Sequence, residues 1–394
     1  MKGFWQMADK IFKKLSAVVN LLGVLFCDLL KIKNQIRNTE EHIEGSLQWL
    51  KFAQDISGTG GVSAGYSLFT GWLKPYPETT GYIIPTFVKY FQLTGEKEYL
   101  ERAKKMTDWL LSVQLENGSF QGGYDWKPEP RVFNTGQIIF GLTAIYKETK
   151  IPIYLEAAKK AGDWLVQVQD QDGCWRKHTF NRVVHTYNTR VAWALLELWQ
   201  ISKDDKYLHS AIRNIDWAKT QQLPNGFFEN NTFEENVSPF SHTIDYAISG
   251  FLESGLILKR YDYIKVSQKC ADALLEIFRK TNFIAGTYDR NWESRDKYTC
   301  LTGDAQISVT WSKLYQITKD PRYKKAALKI NNFLKSTQNL RSQSQGIRGG
   351  IKGSYPICGK YSDWAYPNWG AKFFIDALIL EKEITEKKNE TGDI

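Results

Sequence analysis

Residues 154–175 read YLEAAKKAGDWLVQVQDQDGCW: a helical stretch with a central tryptophan, a glutamine, and an Asp-Gly turn before a final aromatic residue. Residues 99–120 (YLERAKKMTDWLLSVQLENGSF) and 207–228 (YLHSAIRNIDWAKTQQLPNGFF) repeat this pattern. Weaker copies begin at Glu41, Tyr263 and Tyr323. The central positions lie 53 to 60 residues apart, at Trp49, Trp109, Trp164, Trp217, Leu274 and Phe333. Glycine suits the turns because it adopts positive φ without strain, and six units of similar length indicate a repeat architecture.

A second set of six helices lies between these copies and is more apolar. They begin near Pro77, Asn134, Tyr187, His242, Gly303 and Tyr366. A helix that is apolar on nearly all sides is expected to be buried, so each unit pairs an outer helix with an inner one. Six such hairpins predict an all-α (α/α)6 toroid over residues 39–386, followed by a polar tail at 387–394. An open solenoid of helix pairs is the alternative.

The first 38 residues are predicted to form an extra amphipathic helix. Ile11, Leu15, Val18, Leu22, Leu25 and Leu29 recur at three- and four-residue steps. We expect this helix to pack on the toroid; peripheral membrane contact through residues 1–35 and a cleaved signal peptide are the alternatives. With no clear cleavage site, a cytoplasmic protein is expected, and peripheral attachment to the inner membrane is the alternative.

The composition restricts the partners. The chain has 394 residues, a net charge of +9, and 14 Trp, 20 Tyr and 21 Phe. Positive charge favours an acidic ligand, but Lys and Arg alternate with Asp and Glu, so no nucleic-acid partner is expected. The five scattered cysteines lack CxxC spacing and the histidines are few, so we predict neither a metal site nor a cofactor.

Polar residues gather where the inner helices begin. Antiparallel hairpins place all six of these starts at one mouth of the ring, which predicts a funnel lined from distant parts of the chain. The candidates are Glu78, Tyr82, Asn134, Tyr187, Asn188, Arg190, His242, Asp245, Tyr246, Asp304, Asp363, Trp364, Asn368 and Lys372, with Trp126 and Trp292 from loops. Helix capping alone would explain Asn134, Asp304 and Asp363. It does not explain Arg190 or Lys372, because buried charges inside apolar helices are costly unless they face a cavity.

The repeat resembles the α/α-toroid superfamily of six-hairpin glycosidases, toroidal polysaccharide lyases, glucuronyl C5-epimerases and terpenoid cyclases. Segments such as WLKPYPETTGYIIPTF, SPFSHTIDYAISGFLE and LTGDAQISVTW carry the similarity, which spans roughly residues 40–385 and is greatest to toroid proteins encoded among bacterial surface-polysaccharide genes. The acidic DxDD motif of terpenoid cyclases is absent, so terpene cyclisation is not expected. The resemblance implies action on a polysaccharide or oligosaccharide.

Three functions follow as hypotheses. The first is hydrolysis of an acidic glycan, with Asp245 as general acid, Asp304 as base, and Glu78 and Asp363 as alternates. The second is uronate elimination or C5-epimerisation, and the resemblance to toroidal lyases supports it. In that reaction, Asn188 and Arg190 neutralise the carboxylate, and His242 or Tyr246 takes the proton. The third is non-catalytic glycan binding during polysaccharide assembly.

Overall fold

The computed structural model describes residues 19–123 and 129–386. Within these ranges, twelve helices, numbered α1 to α12, alternate between an outer and an inner position. The outer helices are α1 Thr39–Asp55, α3 Lys97–Val113, α5 Pro152–Gln167, α7 Asp205–Lys219, α9 Tyr261–Thr281 and α11 Pro321–Thr337. The inner helices are α2 Pro77–Thr94, α4 Val132–Thr149, α6 Thr189–Ser202, α8 Ser241–Leu258, α10 Leu301–Thr318 and α12 Asn368–Glu386. Two 3-10 turns, Phe180–Arg182 and Thr186–Asn188, precede α6.

Burial separates the two sets of helices. Every residue of α8 from Ser241 to Leu252 is buried, whereas α3 buries one face through Tyr99, Ala103, Met106, Thr107 and Leu110. Each inner helix contacts the next, and the ring closes where α12 packs against both α1 and α2. The predicted (α/α)6 toroid is therefore confirmed, and the open solenoid is excluded.

The inner helices approach one another closely. A Cβ atom added at Gly81 would lie 2.6 Å from the Cα of Ile138, and one added at Gly250 would lie 2.3 Å from the hydroxyl of Thr189. Both distances are below van der Waals contact. The small residues noted in the sequence of the inner helices thus allow six helices to surround a narrow central space.

The repeated residues join neighbouring units. The Tyr207 hydroxyl donates to Asp163 Oδ1 at 2.6 Å, and the Gln169 amide donates to the carbonyl oxygens of Gly173 and Ser210. Equivalent tyrosine–aspartate bonds are Tyr154–Asp108, Tyr263–Asp216 and Tyr323–Asp272. Equivalent glutamine bonds come from Gln54, Gln114, Gln222 and Gln338. The repeat therefore encodes the contacts between units.

These bonds also correct one repeat assignment. Tyr323 donates to Asp272 as Tyr207 donates to Asp163, so Asp272 is the equivalent of Asp163. Trp164 follows Asp163 directly. The residue equivalent to Trp164 in the fifth unit is therefore Ala273, and the sequence-based choice of Leu274 is off by one position.

Short strands join the two ends of the toroid at the mouth where the inner helices begin. β1 (Gly65–Ser67) pairs antiparallel with both β2 (Gly71–Trp72) and β5 (Ala365–Pro367). β3 (Thr299–Cys300) pairs with β4 (Ser354–Tyr355). The β1–β5 pairing brings the loop before α2 against the start of α12.

Residues 19–29 form a further helix, called the N-terminal helix here. It packs on the toroid through Leu21, Val24 and Leu25. The predicted helical residues 1–18 and the tail at 387–394 lie outside the described residues, so the proposed division into segments stays a prediction. In the described part of the chain, no helix combines the length and apolar character that crossing a bilayer requires.

Candidate active site

The starts of the inner helices surround a cavity of about 520 Å³, called the upper cavity here. Glu78 and Tyr82 of α2, Asn134 of α4, and His242 and Tyr246 of α8 line it. Loops and the start of α12 add Tyr76, Arg131, Tyr187, Lys360, Tyr361 and Trp369. The lining is thus aromatic and polar, drawn from residues that are far apart along the chain.

One carboxyl group in the upper cavity is poised for proton transfer. The Tyr76 hydroxyl donates to Glu78 Oε2 at 2.6 Å, and the Asn134 amide donates to the Tyr76 oxygen at 3.0 Å. Burial raises the pKa of Glu78 to about 7, although the Tyr76 hydrogen bond and the charge of Arg190 act in the opposite direction. Near neutral pH Glu78 therefore exists in both the protonated and the ionised form, as a general acid or base requires.

His242 stands in the same cavity as a neutral ring. Its Nδ1 lies 2.6 Å from Gln306 Oε1. Because an amide oxygen only accepts, Nδ1 carries the proton and Nε2 is left as an acceptor. Burial lowers the pKa of His242 to about 3. The ring packs 4.2 Å from the ring of Tyr246 and 5.0 Å from that of Tyr361, measured between centroids.

The tyrosines of the upper cavity remain protonated. Burial raises the pKa values of Tyr82, Tyr187, Tyr246 and Tyr361 far above their usual value. Protonated phenols offer hydrogen-bond donors and flat apolar faces at once. Such groups bind hydroxyl-rich rings and stabilise negative charge that develops on a ligand.

Beneath the upper cavity lies a layer built on Arg190, and below it a second cavity of about 370 Å³, called the lower cavity. The Arg190 guanidinium donates to Gln137 and Ser249, and its carbon lies 4.8 Å from the centroid of the Tyr246 ring. Asp245 and Lys372 line the lower cavity. Thr310 donates to Asp245 at 2.8 Å, and Lys372 pairs with Asp376. Burial raises the pKa of Asp245 to about 7.

Comparison with known proteins agrees with this architecture. The family model of the squalene-hopene cyclase C-terminal domain matches residues 74–261, somewhat less than half of the chain. No curated protein sequence matches this chain. Similar solved structures include an unsaturated glucuronyl hydrolase specific for heparin, with TM-score 0.69, 16% identity, and coverage of 88% of this chain and 98% of that one.

Two further structures extend the comparison. The cellobiose 2-epimerase from Bacillus thermoamylovorans B4167 has TM-score 0.67 and 16% identity, covering 86% and 98% of the two chains. The unsaturated glucuronyl hydrolase from Bacillus sp. GL1 has TM-score 0.69 and 16% identity, covering 88% and 98%. The chain is an α/α-toroid protein. The predicted α/α-toroid fold is thereby confirmed, and identities this low show the fold alone.

The toroid does not bring Asp245 and Asp304 together in the upper cavity. Asp245 faces the lower cavity, and Asp304 lines neither cavity. Both Asp304 oxygens accept from the Thr299 hydroxyl at 2.8 Å, and burial raises the pKa of Asp304 to about 8. The expected pair of carboxylates facing one another across the funnel is therefore replaced by Glu78 alone among the described lining residues.

Other predicted residues lie outside the upper cavity of the toroid. Asn188 is buried in the turn before α6, and the Asn368 amide donates to Ser63 and Thr79. Trp292 donates to the Asn225 carbonyl on an outer loop. Asp363 is exposed, and Trp364 packs against Phe69 with ring centroids 5.6 Å apart. Trp126 lies outside the described residues. Glu78, Tyr82, Asn134, Tyr187, His242 and Tyr246 are the predicted residues that meet in the upper cavity.

The upper cavity also contains residues that the sequence did not single out as site residues. Tyr76 precedes α2, and Phe133 stands at the start of α4. The predicted site residues are mainly polar positions within the inner helices. A usable signal for Tyr76 was its place directly before a proline that begins a helix, two residues before Glu78.

Proposed function

We propose that this toroid protein is a carbohydrate-active enzyme in which Glu78 transfers a proton to or from a sugar bound in the upper cavity. The observation that carries the proposal is the Tyr76–Glu78 hydrogen bond in a largely aromatic cavity, with the pKa of Glu78 raised to about 7. A cavity of about 520 Å³ has the size of small-ligand sites in proteins. Its protonated tyrosines suit the faces and hydroxyl groups of sugar rings.

The proposed substrate is an acidic oligosaccharide or polysaccharide. Arg131 and Lys360 bring two cationic side chains to the upper cavity, and such groups suit an anionic ligand. The Arg131 guanidinium donates to the Thr179 carbonyl at 3.1 Å and to Glu129 at 3.0 Å, which leaves it held at the cavity. Two of the similar solved structures are hydrolases of unsaturated glucuronyl compounds, which supports a uronate.

The reaction we favour is proton transfer at a sugar carbon, as in uronate elimination or C5-epimerisation. Hydrolysis by the common two-carboxylate route needs a second carboxyl beside the first. Among the described residues that line the upper cavity, Glu78 is the one carboxylic acid. Removal of a proton next to a carboxylate needs one base of suitable pKa, with hydrogen-bond donors for the negative charge that forms. Glu78 supplies the base, and the buried tyrosines and Arg131 supply the donors.

Hydrolysis is the second candidate, supported by the likeness to glucuronyl hydrolases over 88% of the chain. Asp245 titrates near the same pH as Glu78, but it lies on the far side of the Arg190 layer. A hydrolase of this chain would therefore use Glu78 with a group other than Asp245. Glycan binding without reaction is the third candidate, and it gives the raised pKa of Glu78 no role. A cytoplasmic location and a place in polysaccharide metabolism belong to the same proposal.

The test is to incubate the full chain and its Glu78→Gln variant with a library of acidic glycans in deuterated water. Mass spectrometry separates the outcomes: gain of water marks hydrolysis, an unsaturated product marks elimination, and deuterium uptake without cleavage marks epimerisation. The Asp363→Asn variant, changed at an exposed carboxylate, is the matched control. We expect turnover that Glu78→Gln abolishes and Asp363→Asn preserves. Binding by both variants with no turnover by the wild type would overturn the proposal.

A further inference from the structure

The N-terminal helix is fixed on the toroid by a buried ion pair as well as by apolar contacts. Asp28 is 4% exposed, and it accepts from the Lys352 ammonium at 2.5 Å and from the Ile357 backbone N–H at 2.8 Å. Leu21, Val24 and Leu25 pack against the toroid core on the same side. The orientation of this helix is thereby set, and one face always points away from the body.

The outward face is strongly apolar. Val19, Leu22, Phe26, Leu29 and Leu30, called the apolar ridge here, are between 56% and 68% exposed. Val19, Leu22, Phe26 and Leu29 recur at steps of three and four residues, which places them on one side of the helix, and Leu30 directly follows its last turn. Ile32 and Ile36 extend the exposed apolar surface along the chain that follows. Elsewhere in the described residues, large exposed apolar side chains are scattered, whereas those of the apolar ridge are close together along the chain. A contiguous apolar patch of this kind marks an interaction surface.

Positive charge is concentrated in the same part of the chain. Residues 1–37 contain seven Lys and Arg against two Asp, a net charge of +5 out of +9 for the whole chain. Asp28, one of the two acidic residues, is paired with Lys352. Lys31 directly follows the ridge and is exposed, whereas the Lys33 ammonium lies 3.4 Å from the centroid of the Tyr355 ring on the toroid. The ridge therefore belongs to a strongly basic stretch of the sequence, and such a charge complements an anionic surface.

We propose that the apolar ridge docks the toroid on a membrane surface that contains anionic lipid. An apolar helix face inserts among the lipid headgroups, while lysines beside it contact the lipid phosphates. The attachment that we propose is peripheral, with the helix lying in the plane of the membrane surface. An apolar protein partner or a second copy of the chain would cover the ridge, but neither accounts for the excess of lysine.

The test is co-sedimentation of the full chain with phosphatidylcholine vesicles, prepared with and without phosphatidylglycerol. We expect binding that depends on phosphatidylglycerol and falls at least about tenfold in the Leu22→Gln/Phe26→Gln variant. The matched control is Phe69→Gln/Leu93→Gln, which changes the same residue types at sites that are 64% and 55% exposed. A third variant, Lys13→Gln/Lys14→Gln/Lys31→Gln, should lose the dependence on phosphatidylglycerol.

Thermal unfolding should be nearly the same for all variants, because the described side chains they change are exposed. Equal binding of the wild type to both vesicle types would overturn the proposal, as would undiminished binding by the ridge variant. Sedimentation velocity without vesicles tests whether the ridge instead binds a second copy of the chain. A wild-type dimer that the ridge variant converts to a monomer would assign the ridge to a second copy of the chain and refute membrane docking.

Discussion

Asp304 should make the folded protein less stable as the pH rises. The carboxyl is 2% exposed and receives hydrogen bonds from Thr299 alone among the described side chains, and its pKa rises from 3.8 to about 8 because burial disfavours the charged form. The folded protein therefore holds this proton more tightly than the unfolded chain does. The resulting stability is fully present below about pH 4, and it is lost as the pH rises towards 8.

The magnitude follows from about 1.4 kcal/mol for each pH unit in which only the unfolded chain is ionised. Between about pH 5 and about pH 8, Asp304 should lower the free energy of unfolding by roughly 4 kcal/mol. Asp304→Asn removes the titrating group while keeping an oxygen that accepts from Thr299. The amide has two N–H donors where the protonated carboxyl has one O–H donor, so the variant carries a fixed cost at every pH. The test therefore compares how the free energy of unfolding changes with pH, and not its absolute value at one pH.

The assay is urea unfolding at a series of pH values. The wild type should lose roughly 4 kcal/mol more than Asp304→Asn across this range, and the exposed control Asp363→Asn should follow the wild type. Glu78 and Asp245 act in the same direction, because burial raises the pKa of each to about 7. They contribute equally to all three proteins and cancel in the comparison. Parallel curves for the wild type and Asp304→Asn would refute the assignment of Asp304 as a protonated, buried carboxyl.

Two further substitutions test the hydrogen bonds between neighbouring units and the class of substrate. Tyr207→Phe removes the hydrogen bond to Asp163 and should lower the free energy of unfolding by about 1 kcal/mol, whereas Tyr261→Phe, at an exposed tyrosine, should change it little. Arg131→Met should raise KM for an acidic glycan while kcat changes less. Added salt should raise the KM of the wild type more than that of the variant, because salt screens the charge of Arg131. An unchanged KM in steady-state assays would separate Arg131 from substrate recognition.

The number of hairpins was predictable because each unit repeats the residues that bond to the neighbouring unit. The tryptophan, the glutamine and the Gly turn recur at nearly constant spacing, and the structure shows why: Gln169 and Tyr207 bond to adjacent units. The fifth unit differs most from this pattern, because Ala273 occupies the position that Trp164 occupies in the third unit. The assignment failed there because the aspartate before that position, rather than the aromatic residue itself, is retained.

The depth of each side chain along the ring axis was not predictable. Glu78 is the second residue of α2 and reaches the upper cavity, whereas Asp245 and Lys372 are each the fifth residue of their helices. Position along the helix does not by itself set that depth, because Tyr246, one residue after Asp245, lines the upper cavity, whereas Arg190, the second residue of α6, lines the lower one. Asp304 is near its helix start, but it points to Thr299. Rotation about the helix axis and loop paths such as that of Tyr361 depend on tertiary packing.

The pH dependence of kcat/KM for the glycan that the toroid converts tests the role of Glu78 most directly. For the wild type we expect an inflection near pH 7, where the Glu78 carboxyl titrates. Glu78→Gln should remove the inflection and lower the rate by roughly 100-fold or more, while Asp304→Asn should keep both. A full rate with an unchanged profile in Glu78→Gln, together with loss of activity in Asp304→Asn, would contradict proton transfer by Glu78.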